Sequence, residues 1–154
     1  MTFTLSSNDI TDGGVLPDAQ VQAKGNTSPH LKWSGAPEGT KSFAVTCYDP
    51  DAPTGSGFWH WTVANIPADV TELPSGGPVP GGAVEGRTDF GEPGYGGAAP
   101  PPGHGPHRYI FTVFAVDAES LPVTPEDSGA KYGFNLHFHT LAKASITATY
   151  ENRG

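Results

Sequence analysis

Five polar side chains of this sequence have the chemistry of a small anion-binding site. They are two carboxylates in a proline-rich bend, one histidine in the segment that follows, and a histidine and a tyrosine much later in the chain: Asp49, Asp51, His60, His107 and Tyr109. Imidazole and phenol groups can donate hydrogen bonds to an anion, and carboxylates can orient the imidazoles and raise their basicity. Together with backbone N–H groups of a nearby loop, these groups could hold an anion without any lysine.

Two extended segments must position the first three of these groups. Residues 43–47 alternate in a way that indicates a strand with one buried face. Pro50 and Pro53 cannot donate to a sheet, so the strand ends in a stiff bend. The chain becomes extended again over residues 58–66, where alternation puts His60 on the face opposite the neighbouring tryptophans. We therefore expect His60 to point away from the tryptophan side, beside the acidic bend.

A third strand is predicted over residues 107–117, because both of its faces are apolar. Such a strand is covered on both sides. His107 and Tyr109 are two residues apart, so they project from the same face about 7 Å from each other. The two side chains would then reach the same end of a sheet.

Further elements complete a mainly β domain. A short strand at residues 31–33 is expected to pair with the strand at 42–48 across the intervening turn. Near the C-terminus, Phe134, Phe138 and Leu141 recur at helical spacing, which predicts a helix with one apolar stripe.

A long segment rich in glycine and proline, residues 68–106, separates the second and third strands. Loops of this length in a compact domain are either disordered or functional. We expect an ordered loop, because Phe90 and Tyr95 give it apolar anchors and its prolines restrict the unfolded chain. Its Pro100 to Pro102 segment adjoins the polar cluster.

Length and composition restrict the class of protein. The 154 residues fit one domain, 1–154, with a sizeable core. Cys47, the single cysteine, cannot form an internal disulfide, and no apolar run approaches the length of a signal peptide or a membrane span, so we expect a cytoplasmic protein without membrane insertion. The net charge of −8 argues against nucleic acid and anionic membrane surfaces as primary partners.

Several motifs in order resemble the signature segments of the phosphatidylethanolamine-binding protein family. More narrowly, they resemble its bacterial and archaeal branch, the Raf kinase inhibitor-like proteins. The motifs are Cys47-Tyr48-Asp49-Pro50-Asp51-Ala52-Pro53, His60-Trp61, Pro100-Pro101 and His107-Arg108-Tyr109. The resemblance extends over nearly the whole chain, from Ser28 to Thr147.

This resemblance implies a fold and a site. The fold would be a β-sandwich with a large antiparallel sheet, long Gly/Pro-rich loops and one or two short C-terminal helices. A small pocket at its rim would accept phosphate-like or phospholipid head-group anions. Carried over by motif, the ligand-binding residues would be Asp49, Asp51, His60, Ala99, Pro100, Pro101, His107 and Tyr109. The resemblance also implies a homodimer.

The leading hypothesis is a non-enzymatic binding module, without cofactor or metal, whose pocket takes an anionic ligand and whose loops regulate a kinase or protease partner. One alternative is a metal-dependent phosphoester hydrolase that uses the same aspartates and histidines. Another is a protease or kinase inhibitor that acts through the Pro-rich loop, Gly76 to Gly82. The residues alone also allow each histidine to be structural and the aspartates to close a turn.

Overall fold

The computed structural model describes residues 2–154. Within these residues the chain forms eight strands, one α-helix and one 3-10 turn at Asp18–Gln20. The strands and the helix, in chain order, are β1 (Thr4–Ser6), β2 (Leu31–Ser34), β3 (Ser42–Asp49), β4 (Phe58–Pro67), β5 (Glu72–Leu73), β6 (Val84–Glu85), β7 (His107–Val116), α1 (Gly129–His139) and β8 (Thr140–Tyr150). Within the described residues, no helix is long and apolar enough to cross a bilayer.

Two antiparallel sheets pack face to face. The larger sheet has the strand order β6-β4-β3-β7-β8, and the smaller has the order β1-β2-β5. Leu31 and Leu73 of the small sheet share one buried cluster with Val45, Val63 and Phe111 of the large sheet. The predicted β-sandwich with a large antiparallel sheet is therefore confirmed, with a single α-helix near the C-terminus.

The predicted pairing of β2 with β3 is wrong. β2 pairs with β1 and β5 in the small sheet, with Leu31 opposite Leu73. The turn between β2 and β3 carries the chain across the core, so the two strands face each other. Trp33 and Phe43 meet there, with ring centroids 5.5 Å apart. Alternation correctly identified β2 as half-buried, whereas β3, expected to have one buried face, is buried on both. Alternation also does not say which strand lies beside which.

Helix α1 packs on the outer face of the large sheet. It begins at Ser128, whose side chain accepts a hydrogen bond from the Lys131 N–H. The predicted apolar stripe is not the buried one: Tyr132 and Leu136 are buried, whereas Phe134 and Phe138 are 66% and 64% exposed. The glycines of α1 lie on its buried side. Because they have no side chain, this side of the helix can approach the sheet closely, and it is therefore the side that packs against the sheet.

The close approach of α1 to Trp59 predicts opposite effects of two matched substitutions. A Cβ at residue 129 would overlap the Trp59 indole, so Gly129→Ala should destabilise the protein by about 1 to 3 kcal/mol. A Cβ at residue 133 would lie 3.7 Å from the same indole, so Gly133→Ala should raise stability by about 0.5 to 1 kcal/mol through helix propensity. Urea denaturation measures both, and equal stabilities would contradict this packing.

Candidate functional site

One end of the large sheet brings the predicted polar residues together. Because β3 runs antiparallel to both β4 and β7, the end of β3 lies beside the start of each neighbour. The cavity formed there has a volume of about 170 Å³, room for about five water molecules. It is lined by Asp49, Ala52, Pro53, Thr54, Phe58, His60, Phe90, Ala99, Pro101, His107 and Tyr109.

Six of the eight predicted ligand-binding residues line this cavity, and two lie outside it. The Asp51 carboxylate is turned away and bound by Arg108, whose Nε and Nη2 atoms donate to it at 3.0 and 2.9 Å. These hydrogen bonds lower the pKa of Asp51 to about 2. Pro100 lies outside the cavity, where it lines a neighbouring groove. Both residues therefore support the rim of the cavity from outside.

The apolar walls of the cavity were missed by the sequence analysis. They come from the bend, from the start of β4 and from the Gly/Pro-rich loop: Ala52, Pro53, Phe58 and Phe90. Only Phe58 had a usable signal, since it lies two residues before His60 and so shares its face in a regular strand. The loop position of Phe90 has no periodicity that could reveal it.

A β-bulge turns His60 into the cavity. Cys47 pairs with Trp61 and Tyr48 with Trp59, so β4 has one extra residue, His60, opposite β3. Trp61 therefore joins the core, whereas Trp59 faces α1. The expectation that His60 points away from both tryptophans is wrong, because a bulge interrupts the alternation on which it rested. His60 lies on the core side, with its ring centroid 5.3 Å from that of Tyr109.

Gly96 fixes the bulged histidine with two hydrogen bonds. The Gly96 N–H donates to the His60 carbonyl at 2.9 Å, and His60 Nδ1 donates to the Gly96 carbonyl at 2.7 Å. Since a carbonyl can only accept, Nδ1 carries the proton and Nε2 is the acceptor nitrogen of the neutral ring. Burial lowers the pKa of His60, which favours the neutral form of this imidazole in the free site.

A buried hydrogen bond joins Asp49 to His107. Asp49 Oδ2 lies 2.6 Å from His107 Nδ1, and the two side chains are 3% and 2% exposed. The other oxygen of Asp49 accepts from the Asp51 N–H at 2.7 Å, so both carboxylate oxygens are occupied. His107 Nε2 lies 2.6 Å from Nδ1 of His104, a third histidine that the sequence analysis did not select. Asp49, His107 and His104 therefore form a chain of hydrogen bonds.

Tyr109 has a buried hydroxyl whose hydrogen is not used. Its side chain is 1% exposed and lines the cavity. The Ala99 backbone lies close to it, but no group within residues 2–154 has the geometry of a hydrogen bond to Tyr109 Oη. Burial, assisted by the negative charge of Asp49, raises the pKa of Tyr109, so the phenol keeps its proton. A residue that lines the cavity thus carries a hydrogen-bond donor without an acceptor among the described residues.

Metal coordination finds little support in this geometry. Among residues 2–154, no group of three or more His, Cys, Asp or Glu side chains is arranged to hold a metal ion. Asp51 is bound to Arg108, and Asp49 to His107. The ligands that a metal site would share are therefore committed to hydrogen bonds within the protein.

The fold and the cavity together define a β-sandwich protein with one small, partly enclosed site at the end of its large sheet. Residues 6–151 match the family model of the phosphatidylethanolamine-binding proteins. The chain therefore belongs to the phosphatidylethanolamine-binding protein family, as its motifs suggested.

Bacterial relatives extend over the whole domain. The chain is 56% identical to the UPF0098 protein YbhB of Escherichia coli K12, over 95% of this chain and 98% of the relative. It is 54% identical to YbcL of the same organism, over 97% and 87% of the two chains. The crystal structure of Escherichia coli YbcL superposes with a TM-score of 0.94, covering 97% of this chain and 98% of that one.

The two aspartates of the bend should differ strongly in their effect on stability. Asp49→Ala leaves the buried His107 Nδ1 and the Asp51 N–H without an acceptor, which should cost about 3 kcal/mol or more. Asp51→Ala, the matched control two residues away, removes a partly exposed ion pair with Arg108 and a hydrogen bond from the exposed Arg108 N–H, and it should cost much less. Chemical denaturation at pH 7 compares the two variants. Similar losses would contradict the central position assigned to Asp49.

Proposed function

We propose that the cavity binds a small anionic group, such as a phosphate or a phospholipid-like head group, and that the protein acts as a binding module without catalysis. The observation that carries this proposal is the buried hydroxyl of Tyr109, a residue that lines the cavity; this donor has no acceptor among residues 2–154. Leaving such a group unpaired costs free energy, so folded proteins rarely retain one without a use. An acceptor supplied by a ligand accounts for it.

The charges around the cavity favour an anionic acceptor. Both oxygens of the Asp49 carboxylate are bound within the protein, one by the Asp51 N–H and one by His107 Nδ1, so Asp49 presents no free oxygen to a ligand. His60 can take up a proton on Nε2 and become a cation beside the bound group. A ligand oxygen with negative charge also forms a stronger hydrogen bond with the Tyr109 hydroxyl than a neutral acceptor does.

The walls of the cavity indicate what the anion carries. Phe58, Phe90 and Pro53 present apolar surface around the polar groups. Phe58 and Phe90 pack against each other with ring centroids 4.7 Å apart. A phosphate ester with an organic substituent would place its charge at Tyr109 and its apolar part along these rings. This pattern supports a phosphomonoester or a phosphodiester as the ligand class.

Binding without catalysis agrees with how the reactive groups are used. Cys47 is buried in the core, and burial raises the pKa of its thiol, which makes it a poor nucleophile. Both ring nitrogens of His107 are hydrogen-bonded, so it is not a free general base. A homodimer, a cytoplasmic location and the regulation of a kinase or protease partner stay predictions.

Tyr109→Phe is the most selective test of this site. Removing only the hydroxyl should weaken the binding of inorganic phosphate about 10- to 100-fold, the value of a hydrogen bond to a charged group. Since the hydroxyl has no acceptor in the free protein, the stability of the variant should be unchanged or higher. Titration calorimetry measures the affinity, and thermal denaturation measures the stability.

Tyr48→Phe is the matched control for that substitution. The Tyr48 hydroxyl donates to the Ser56 carbonyl, and its ring packs on Trp59, away from the cavity. This variant should bind phosphate like the wild type. If the wild type does not bind phosphate or phosphoethanolamine, or if both tyrosine variants bind equally well, the proposed site is rejected.

His60 should make anion binding depend on pH. Its pKa lies below its usual value in the free protein, and a bound anion favours a proton on Nε2 and so raises that pKa. Binding must then take up a proton, and affinity should rise as the pH falls from 8 to about 6. Calorimetry in buffers of different ionisation enthalpy counts the protons. Proton release, or no change in proton number, would contradict this assignment.

A further inference from the structure

A tight turn in the Gly/Pro-rich loop positions His104 at the site. The His104 N–H donates to the Pro101 carbonyl at 3.2 Å, and Gly103 between them has φ +75°. Proline followed by a glycine with positive φ is the pattern of a type II turn. The Gly103 N–H also donates to the Asn152 carbonyl at 2.8 Å, which anchors the turn to the C-terminal segment. The backbone therefore presents the His104 ring to His107 from outside the cavity.

The contact between the two rings restricts their protons. His104 Nδ1 and His107 Nε2 are 2.6 Å apart, a distance that requires one proton between them. If both nitrogens carried protons, two N–H groups would face each other and the hydrogen bond would break. Since His107 Nδ1 donates to Asp49, the only nitrogen of His107 that can reach a ligand is Nε2, and His104 occupies it.

We propose that His104 is a positioning residue of the anion site. In the free protein His104 is hydrogen-bonded to His107 Nε2, and when the ligand binds, the anion replaces His104 at this nitrogen. This inference rests on the proposed function of the cavity. It assigns to the site a residue that neither the motif nor the cavity lining includes. In the bound protein, His107 Nε2 takes up a proton from solvent together with the anion and donates it to the anion, while His107 Nδ1 continues to donate to Asp49.

The structure permits this exchange at little steric cost. His104 is exposed, so its ring can rotate into solvent without opening the core. Gly105, which follows it, has φ +89°, a conformation that glycine adopts and leaves freely. His107, in contrast, is buried and fixed by Asp49. The ring that moves is therefore the one on the loop.

Two substitutions of His104 separate this role from a structural one. His104→Ala removes the competing hydrogen bond, so inorganic phosphate should bind about three to ten times more tightly than to the wild type at pH 7.5. His104→Asn keeps an amide group near the position of Nδ1, so it can hold His107 Nε2 without titrating. Its affinity at pH 7.5 should equal that of the wild type.

NMR spectroscopy provides the second readout. In the free wild-type protein, ¹⁵N NMR should detect scalar coupling between His104 Nδ1 and His107 Nε2, and saturating phosphate should abolish it.

The possible failures are distinct. If His104→Ala binds phosphate no more tightly than the wild type at pH 7.5, or if the coupling is absent, the exchange is rejected, and the anion site stands as long as Tyr109→Phe weakens binding. If neither the wild type nor His104→Ala binds phosphate, the anion site and the exchange are rejected together.

Discussion

The Asp49–His107 hydrogen bond is the interaction on which the geometry of the site depends. It joins the end of the central strand β3 to the start of β7, away from water, where such a bond is electrostatically strong. The second oxygen of Asp49 holds the bend through the Asp51 N–H, and the second nitrogen of His107 meets the loop histidine His104. One carboxylate thus connects three segments that are far apart in sequence.

This arrangement leaves two polar groups at the cavity for a ligand. Among residues 2–154 the buried Tyr109 hydroxyl has no acceptor, and the neutral His60 has its acceptor nitrogen at Nε2. The unpaired hydroxyl costs free energy in the unliganded protein, because a buried polar group without a partner loses its hydration. A ligand with negative charge recovers that free energy by accepting from the phenol and by inducing protonation of the imidazole. The free energy of unfolding is therefore lowered by a group at the site where binding is proposed.

Much of the fold and part of the site could be predicted, because both follow from alternation along strands. The strands β3 and β7 were predicted correctly, although β3 is buried on both faces and not on one, and their antiparallel pairing explains why the end of β3 meets the start of β7. Other features depend on irregularities of the backbone or on which face of an element packs against the sheet. The bulge at His60 has no signal in residue types, and two glycines, not the phenylalanines, decide which face of α1 is buried. His104 lies in an exposed turn, where periodicity gives no information.

The most direct test of the central claim is a crystal structure of the protein soaked in tungstate, a phosphate analogue with a strong anomalous signal. The account predicts an anomalous peak in the cavity, with its oxygens within hydrogen-bond distance of Tyr109 Oη and His60 Nε2 and with Asp49 still bound to His107. A cavity that contains only water at Tyr109, while tungstate occupies surface lysines, would contradict it.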